Sequence, residues 1–191
     1  MKLAILGGSG KTGQHLVQQA LDAGYEVAAL VRNSAKLGIE HSNLRVVQGN
    51  ILDATCVEAV IQAADAVISV LGPSSNQPEF TISQGMEHIL TAMKKHHVCR
   101  LIISVGAGIR EPQDRPKLVD HLFGFLLKAT SKNVVADMQQ VVNLVKASDR
   151  DWTVVRVPML TDQPAQGSLK VGYVGEISSR LSRADMACSS N

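Results

Sequence analysis

Aromatic residues make up only 3% of this 191-residue chain, too few to build the stacking platforms on which single-stranded nucleic acids lie. Charge of one sign is also missing. The 19 Lys and Arg are nearly balanced by 17 Asp and Glu, for a net +2, and they are dispersed. That excludes the basic footprint expected of a nucleic-acid partner. There are three cysteines, Cys56, Cys99 and Cys188, and none forms a CxxC pair. An odd, scattered count points to reduced thiols and a cytoplasmic location rather than a disulfide frame. His15, His41, His88, His121 and the adjacent pair His96 and His97 form no ligand spacing, because neighbours on a helix face different ways, so no metal is expected. No apolar stretch approaches the roughly 18 residues that would suggest a membrane span. The apolar start at residues 3–6 is too short for a signal peptide. Internal repeats, low-complexity segments and linkers are absent. With 45% apolar residues, residues 1–191 are expected to form one domain with a sizeable core.

Glycine is where the chain is rich, and it is concentrated at the start. After the apolar run 3–6, glycines stand at Gly7, Gly8, Gly10 and Gly13, with Ser9, Lys11 and Thr12 between them. A helical pattern follows at once in Leu16, Val17, Ala20 and Leu21. Strand, glycine turn and helix together point backbone N–H groups and a helix N-terminus at a phosphate. Gly7 allows the tight turn, Gly10 lets a pyrophosphate approach, and Gly13 lets the helix pack on the strand. The spacing is G-x-x-G-x-x-G, a variant of the dinucleotide fingerprint. A P-loop would need glycine at position 5, which is Ile5.

Further along, strands are expected at 25–31, 44–48, 66–71, 99–105 and 152–157, with helices at 11–23, 55–63, 81–97 and 132–147. This alternation implies a doubly wound parallel sheet of order 3-2-1-4-5-6 with right-handed crossovers. Gly24 suits a left-handed helix cap, and Asp53 reads as the N-cap of the helix that follows it. In such sheets ligands lie beyond the carboxyl ends of the strands. Those ends carry Arg32, Asn50, Ile51, Leu71, Gly72, Pro73, Ser104, Pro158 and Met159, the remaining candidate cofactor contacts, with Ser104 nearest the reactive end. An acid beyond the second strand would favour a ribose 2′-OH and a base a 2′-phosphate. Here Arg32 follows Val31, Lys36 is close by, and Glu26 sits too early in the strand. NADP(H) is therefore expected over NAD(H). The apolar stretch 118–127, with Phe123 and Phe125, is expected to be a lid or pocket wall.

The glycine turn, the Leu30-Val31-Arg32 strand end, Gly49-Asn50-Ile51-Leu52, Leu160-Thr161-Asp162-Gln163-Pro164 and Ser182-Arg183-Ala184-Asp185 resemble the atypical short-chain dehydrogenase/reductases. Within them the chain is similar to the group of flavin reductase/biliverdin-IXβ reductases and NmrA-like NAD(P)-binding proteins. The resemblance spans nearly the whole chain. It implies an NADPH-binding Rossmann protein, monomeric or weakly dimeric, passing hydride to a planar acceptor such as a flavin, quinone or bile pigment. There are departures. The only tyrosines are Tyr25 and Tyr173, so the family's Tyr-x-x-x-Lys pair is absent. Gly106 stands where the flavin/biliverdin reductases place a serine, and Met159 where they place a histidine. The Ser-Arg-Ala-Asp piece, which opens a long C-terminal helix in the family, is followed by only six residues, so that helix is expected to be short.

Three functions follow from these residues. The first is an NADPH-dependent reductase of a planar acceptor, with an apolar pocket from Leu71, Pro73, Ile82, Met159 and a phenylalanine, in which the cofactor carries the chemistry. The second is an NmrA-like sensor that binds NADP without turnover. The third is a sugar-nucleotide epimerase or dehydratase, disfavoured by the missing tyrosine.

Overall fold

The computed structural model describes residues 1–72, 76, 78–109, 111–115, 130–167, 170–174, 176, 178 and 180–188. Six strands, β1 (Lys2–Leu6), β2 (Glu26–Val31), β3 (Leu44–Gln48), β4 (Ala66–Ser69), β5 (Arg100–Gly106) and β6 (Asp151–Val157), form one parallel sheet of order β3-β2-β1-β4-β5-β6. Order and direction are those expected of the sequence. The α-helices among the described residues are α1 (Lys11–Asp22), α2 (Ala54–Ile61), α3 (Thr81–Lys95), α4 (Lys132–Ala147) and α5 (Arg183–Cys188).

β1 shows why the sheet is sandwiched. Its residues are apolar on both faces, as a strand buried on both sides requires. Ala4 and Leu6 join a core with Val57, Ile61, Met86, Met93, Met138 and Val142 of α2, α3 and α4. Leu3 and Ile5 point the other way and pack against Leu16, Val17, Ala20 and Leu21 of α1, with Ala187 of α5. The strand order reverses between β1 and its neighbour β4, so the crevice at their carboxyl ends is a topological switch point.

α4 has the expected bounds, and α1, α2 and α3 end one or two residues earlier than expected. α3 stops at Lys95 because His96 caps it and His97 takes the left-handed φ of +57°. Asp53 does cap α2, accepting from the N–H groups of Thr55 and Cys56 at 2.9 and 3.3 Å. Gly24, at φ +81°, follows the cap of α1. Two three-residue strands, β7 (Met159–Thr161) and β8 (Arg180–Ser182), pair in parallel apart from the main sheet and were not expected. No described helix is long and apolar enough to cross a membrane. The expected lid at 118–127 and Pro73 lie outside the described residues.

Candidate functional site: a cleft at the glycine turn

The glycine turn has the geometry its spacing demands. Gly7 takes φ +92°, a region that L side chains rarely adopt. A Cβ on Gly13 would stand 2.1 Å from the Gly7 carbonyl oxygen and 2.8 Å from the Gly8 Cα. Only glycine permits α1 to start this close to the strand it follows. Gly10 is the N-cap of α1, exposed and without a side-chain cap, which leaves first-turn N–H groups without an intrahelical acceptor. These groups and the α1 dipole face the carboxyl edge of the sheet and suit an anion.

A cleft of about 200 Å³ opens over this turn. Gly7, Ser9 and Gly10 line it beyond β1, Leu30 and Arg32 at the end of β2, and Gly49, Asn50 and Ile51 beyond β3. Val70, Leu71 and Gly72 continue it beyond β4, and Thr81 and Ile82 of α3 close the far side. Of the residues singled out in the sequence, Gly7, Ser9, Gly10, Arg32, Asn50, Ile51, Leu71 and Gly72 thus come together. Gly8 and Gly13 are buried beneath the turn. Thr12 lies in α1 outside the lining, and the Lys11 ammonium sits 2.8 Å from Asp162. Ser104 is half-buried in β5, outside the lining. Pro158 faces a separate groove along β6, and Met159 is largely exposed.

The Arg32 end of the cleft is built by short-range bonds. Asn33 Oδ1 accepts from the Ala35 N–H at 3.0 Å, the Ser34 hydroxyl donates to Gln48 Oε1 at 3.0 Å, and the Gln14 amide donates to the Lys36 carbonyl. These bonds fasten the turn after β2 to β3 and to α1. The Arg32 guanidinium itself is exposed and has no partner among the described residues. Glu26, at the opposite end of β2, pairs with Lys2 at 3.2 Å, away from the cleft.

The floor is fixed from α3. Ile51 fits against Gly85, whose added Cβ would meet Ile51 Cγ1 at 2.2 Å, and the His88 ring bonds the Ile51 carbonyl at 3.1 Å. Asn50 Oδ1 accepts from the Leu52 N–H at 3.2 Å, holding the bend after β3. The sequence reading missed Asp137. This buried carboxylate on α4 reaches the cleft and accepts from the N–H groups of Ile82 and Ser83 at 3.1 and 2.9 Å. It caps α3 from another helix, where the local N-cap, Phe80 at φ +49°, offers no side-chain acceptor. Two signals were present: no capping residue directly precedes Thr81, and Asp137 lies on the apolar face that carries Val134, Met138 and Val141. A carboxylate on a buried face needs partners.

Neither tyrosine lines the cleft. Tyr25 precedes β2 at the amino edge of the sheet, and Tyr173 lines the groove along β6. That groove, about 970 Å³, is lined on one side by Arg156, which is held in an ion pair. Arg156 of β6 donates from both terminal nitrogens to Asp114, at 2.6 and 2.7 Å. The N–H groups of Glu111 and Val174 also donate to Asp114. Among the described residues no cluster of His, Cys, Asp and Glu could hold a metal ion.

The geometry has counterparts. The profile of the NAD(P)H-binding family matches residues 7–188. The chain is similar to YwnB of Bacillus subtilis, 29% identical over 108 residues that cover 56% of this chain and 48% of that protein. It is similar to the oxidoreductase aflX of Aspergillus parasiticus, 25% identical over 167 residues, 79% and 61% of the two chains. The chain therefore spans about half to three-fifths of the length of these relatives. Among solved structures, a short-chain dehydrogenase/reductase of Veillonella parvula in complex with NADP superposes with a TM-score of 0.79 at 18% identity, covering 98% and 84% of the two chains. ChuY of Escherichia coli, an anaerobillin reductase, gives 0.73 at 21% identity over 99% and 88%. At these identities the structural likenesses establish the Rossmann fold. Together with the glycine turn at the switch point and a profile match over nearly the whole chain, they lead to one conclusion: the chain belongs to the NAD(P)H-binding family.

Proposed function

We propose that the protein is an NADPH-dependent reductase that passes hydride to a flat, readily reduced acceptor such as a flavin, a quinone or a bile pigment. The observation that carries this reading is the cleft itself. It joins an anion-accepting glycine turn and a guanidinium without a partner among the described residues, at one end, to apolar Val70, Leu71 and Ile82 at the other. The residues present fit a dinucleotide: Gly13 lets α1 start against the turn, where a Cβ would strike the Gly7 and Gly8 backbone, and Gly7 and Gly10 leave the backbone of the cradle bare. Gly7, Ser9 and Gly10 would hold the pyrophosphate, Arg32 a 2′-phosphate, and Asn50 and Ile51 the adenine. When bound, the nicotinamide supplies the hydride. Leu71 and Ile82 would orient the acceptor by apolar contact and exclude water, and orientation is most of what such a transfer asks of the protein. A proton needed by the product can come from water. Ser104 of β5, outside the lining described, is the candidate hydroxyl for this role. The absence of a tyrosine from the lining argues against carbonyl reduction, which benefits from a positioned acid. ChuY, an anaerobillin reductase, and the Veillonella protein with NADP support the same reading by analogy of fold.

The test is to mix pure protein with NADPH and a panel of flavin, quinone and bilin acceptors, following the nicotinamide absorbance. Turnover well above the non-enzymatic rate is expected with at least one of them. Tight binding of NADPH with no turnover across the panel would instead support a binding-only regulator, the reading favoured by Gly106 and Met159 standing where the flavin/biliverdin reductases place a serine and a histidine.

Recognition of the 2′-phosphate carries its own expectation. Arg32→Ala should weaken NADPH binding about tenfold or more while leaving NADH unchanged, the loss of one charge-assisted phosphate contact. Titration of both cofactors into both proteins checks it. A variant that loses both equally would place Arg32 in the fold rather than in recognition.

A further inference from the structure

The glycine turn is tied to a distant part of the chain by three charges that line neither the cleft nor the groove along β6. Lys11, the first residue of α1, stands directly after Gly10 of the lining. Its ammonium lies 2.8 Å from Asp162 Oδ2, and Asp162 Oδ1 accepts from Arg183 at 2.5 Å. Asp162 follows β7 and Arg183 opens α5. The two ends of this chain of charges are not equally held. Arg183 is 21% exposed and belongs to a helix that packs on α1 through buried Ala187, with the Gln19 amide donating to the Ala184 carbonyl at 3.0 Å. Lys11 is 71% exposed, on a four-carbon stem with free rotation. The lysine is therefore the member that can leave.

We propose that Asp162 is an affinity-setting residue for the dinucleotide: it holds the Lys11 ammonium away from the cofactor phosphates, and binding has to win the lysine from it. The inference rests on the reading that the glycine turn takes a dinucleotide phosphate. The Lys11 ammonium and the α1 N-terminus together form a cationic field beside the cradle, and one carboxylate partly cancels it. Lys11 and Arg183 keep that carboxylate below the usual carboxylate range, so it stays charged at neutral pH. A phosphate oxygen arriving at Gly10 competes with Asp162 for the same ammonium. When Lys11 turns to the phosphate, Arg183 still compensates the carboxylate, so the exchange leaves no charge alone.

The experiment is a titration of NADPH, at low and at physiological salt, into wild type, Asp162→Asn, Lys11→Met and the double variant, with a thermal melt of each without cofactor. Asp162→Asn should bind NADPH about three- to fivefold more tightly, the size of one exposed ion pair. The gain should shrink with added salt and vanish in the Lys11→Met background. An unchanged or weaker affinity in an Asp162→Asn protein that melts like wild type overturns the proposal, and so does an equal gain without Lys11. If wild type binds NADPH and only the gain is missing, the inference fails and the reading of the cleft stands. If wild type binds no dinucleotide at all, both fail.

Discussion

Gly13→Ala is expected to abolish measurable cofactor binding and to cost about 3 kcal/mol or more of stability, the upper range for forcing atoms into a packed site. The added carbon would lie 2.1 Å from the Gly7 oxygen, 2.8 Å from the Gly8 Cα and 2.9 Å from the Gly7 carbon. All three are backbone atoms, so no rotamer change can relieve the contact. Either α1 slides along β1 or the turn itself opens. Either response moves the Gly10 end of the cradle, and α1 is also the support of α5 through Ala187. Gly10→Ala is the control that separates crowding from loss of the ligand. Its Cβ would meet only the Gly7 oxygen, at 3.3 Å, so the fold should tolerate it within about 1 kcal/mol, the cost of modest crowding, while the methyl group obstructs an approaching phosphate. Chemical denaturation and NADPH titration of both variants decide the matter. A Gly13→Ala protein as stable as wild type would mean that α1 does not pack as described.

Asp114→Asn should be the most costly change away from the cleft, at about 3–5 kcal/mol near neutral pH, as for removal of one partner of a buried pair. The Asp114 side chain is 4% exposed and that of Arg156, at the wall of the groove, 11%, so both charges are largely shielded from water. Arg156 beside it, with the Glu111 and Val174 N–H groups, holds the Asp114 carboxyl down at about 2, against an ordinary 3.8. The sign follows directly. A carboxylate with a depressed folded pKa stabilises fully above the unfolded value of 3.8 and loses that contribution as pH falls through 3.8 towards 2. The linked amount is about 2 kcal/mol, less than the cost of truncation, because the asparagine leaves the Arg156 cation buried without its counter-charge. Wild type should therefore lose stability steeply between these limits. Asp114→Asn should show a flatter acid limb, its deficit narrowing as pH approaches 2. A deficit that stays constant over this range would assign the loss to packing alone. The expected structural consequence is release of the 109–115 segment from β6, since Arg156 also donates to the Ile109 carbonyl at 3.0 Å.

The parts of the molecule that could be read in advance are those fixed by neighbours in sequence. Apolar runs bounded by glycine and polar residues placed the six strands, and their alternation with helices fixed parallel order. Gly7, Gly13, Gly24 and Asp53 could be given their roles because each role is completed within a few residues. What could not be read depends on partners far along the chain. Asp137 caps a helix more than 50 residues earlier. The strands β7 and β8, three residues each, are too short for any periodicity. The Thr161-Asp162 and Ser182-Arg183-Ala184-Asp185 pieces stood out as family features before their physical reason was visible. That reason is tertiary. Asp162 joins Lys11 to Arg183, and Asp185 accepts from Ser182 and from the N–H groups of Gln166 and Gly167, tying the 162–167 loop to the start of α5. Lys11 illustrates the same limit: its position in the glycine turn suggests a phosphate contact, while its ammonium meets a carboxylate 151 residues away.

The proposed function requires a dinucleotide phosphate in the glycine-turn cleft, with Arg32 as its outer anchor. Calorimetric titration of the wild-type protein with NADPH and, separately, NADH at the same ionic strength tests this most directly. One site per chain is expected, with an affinity for NADPH about tenfold or more above that for NADH, the value of one unshared guanidinium–phosphate contact. Equal affinities, a preference for NADH, or no binding of either would contradict it.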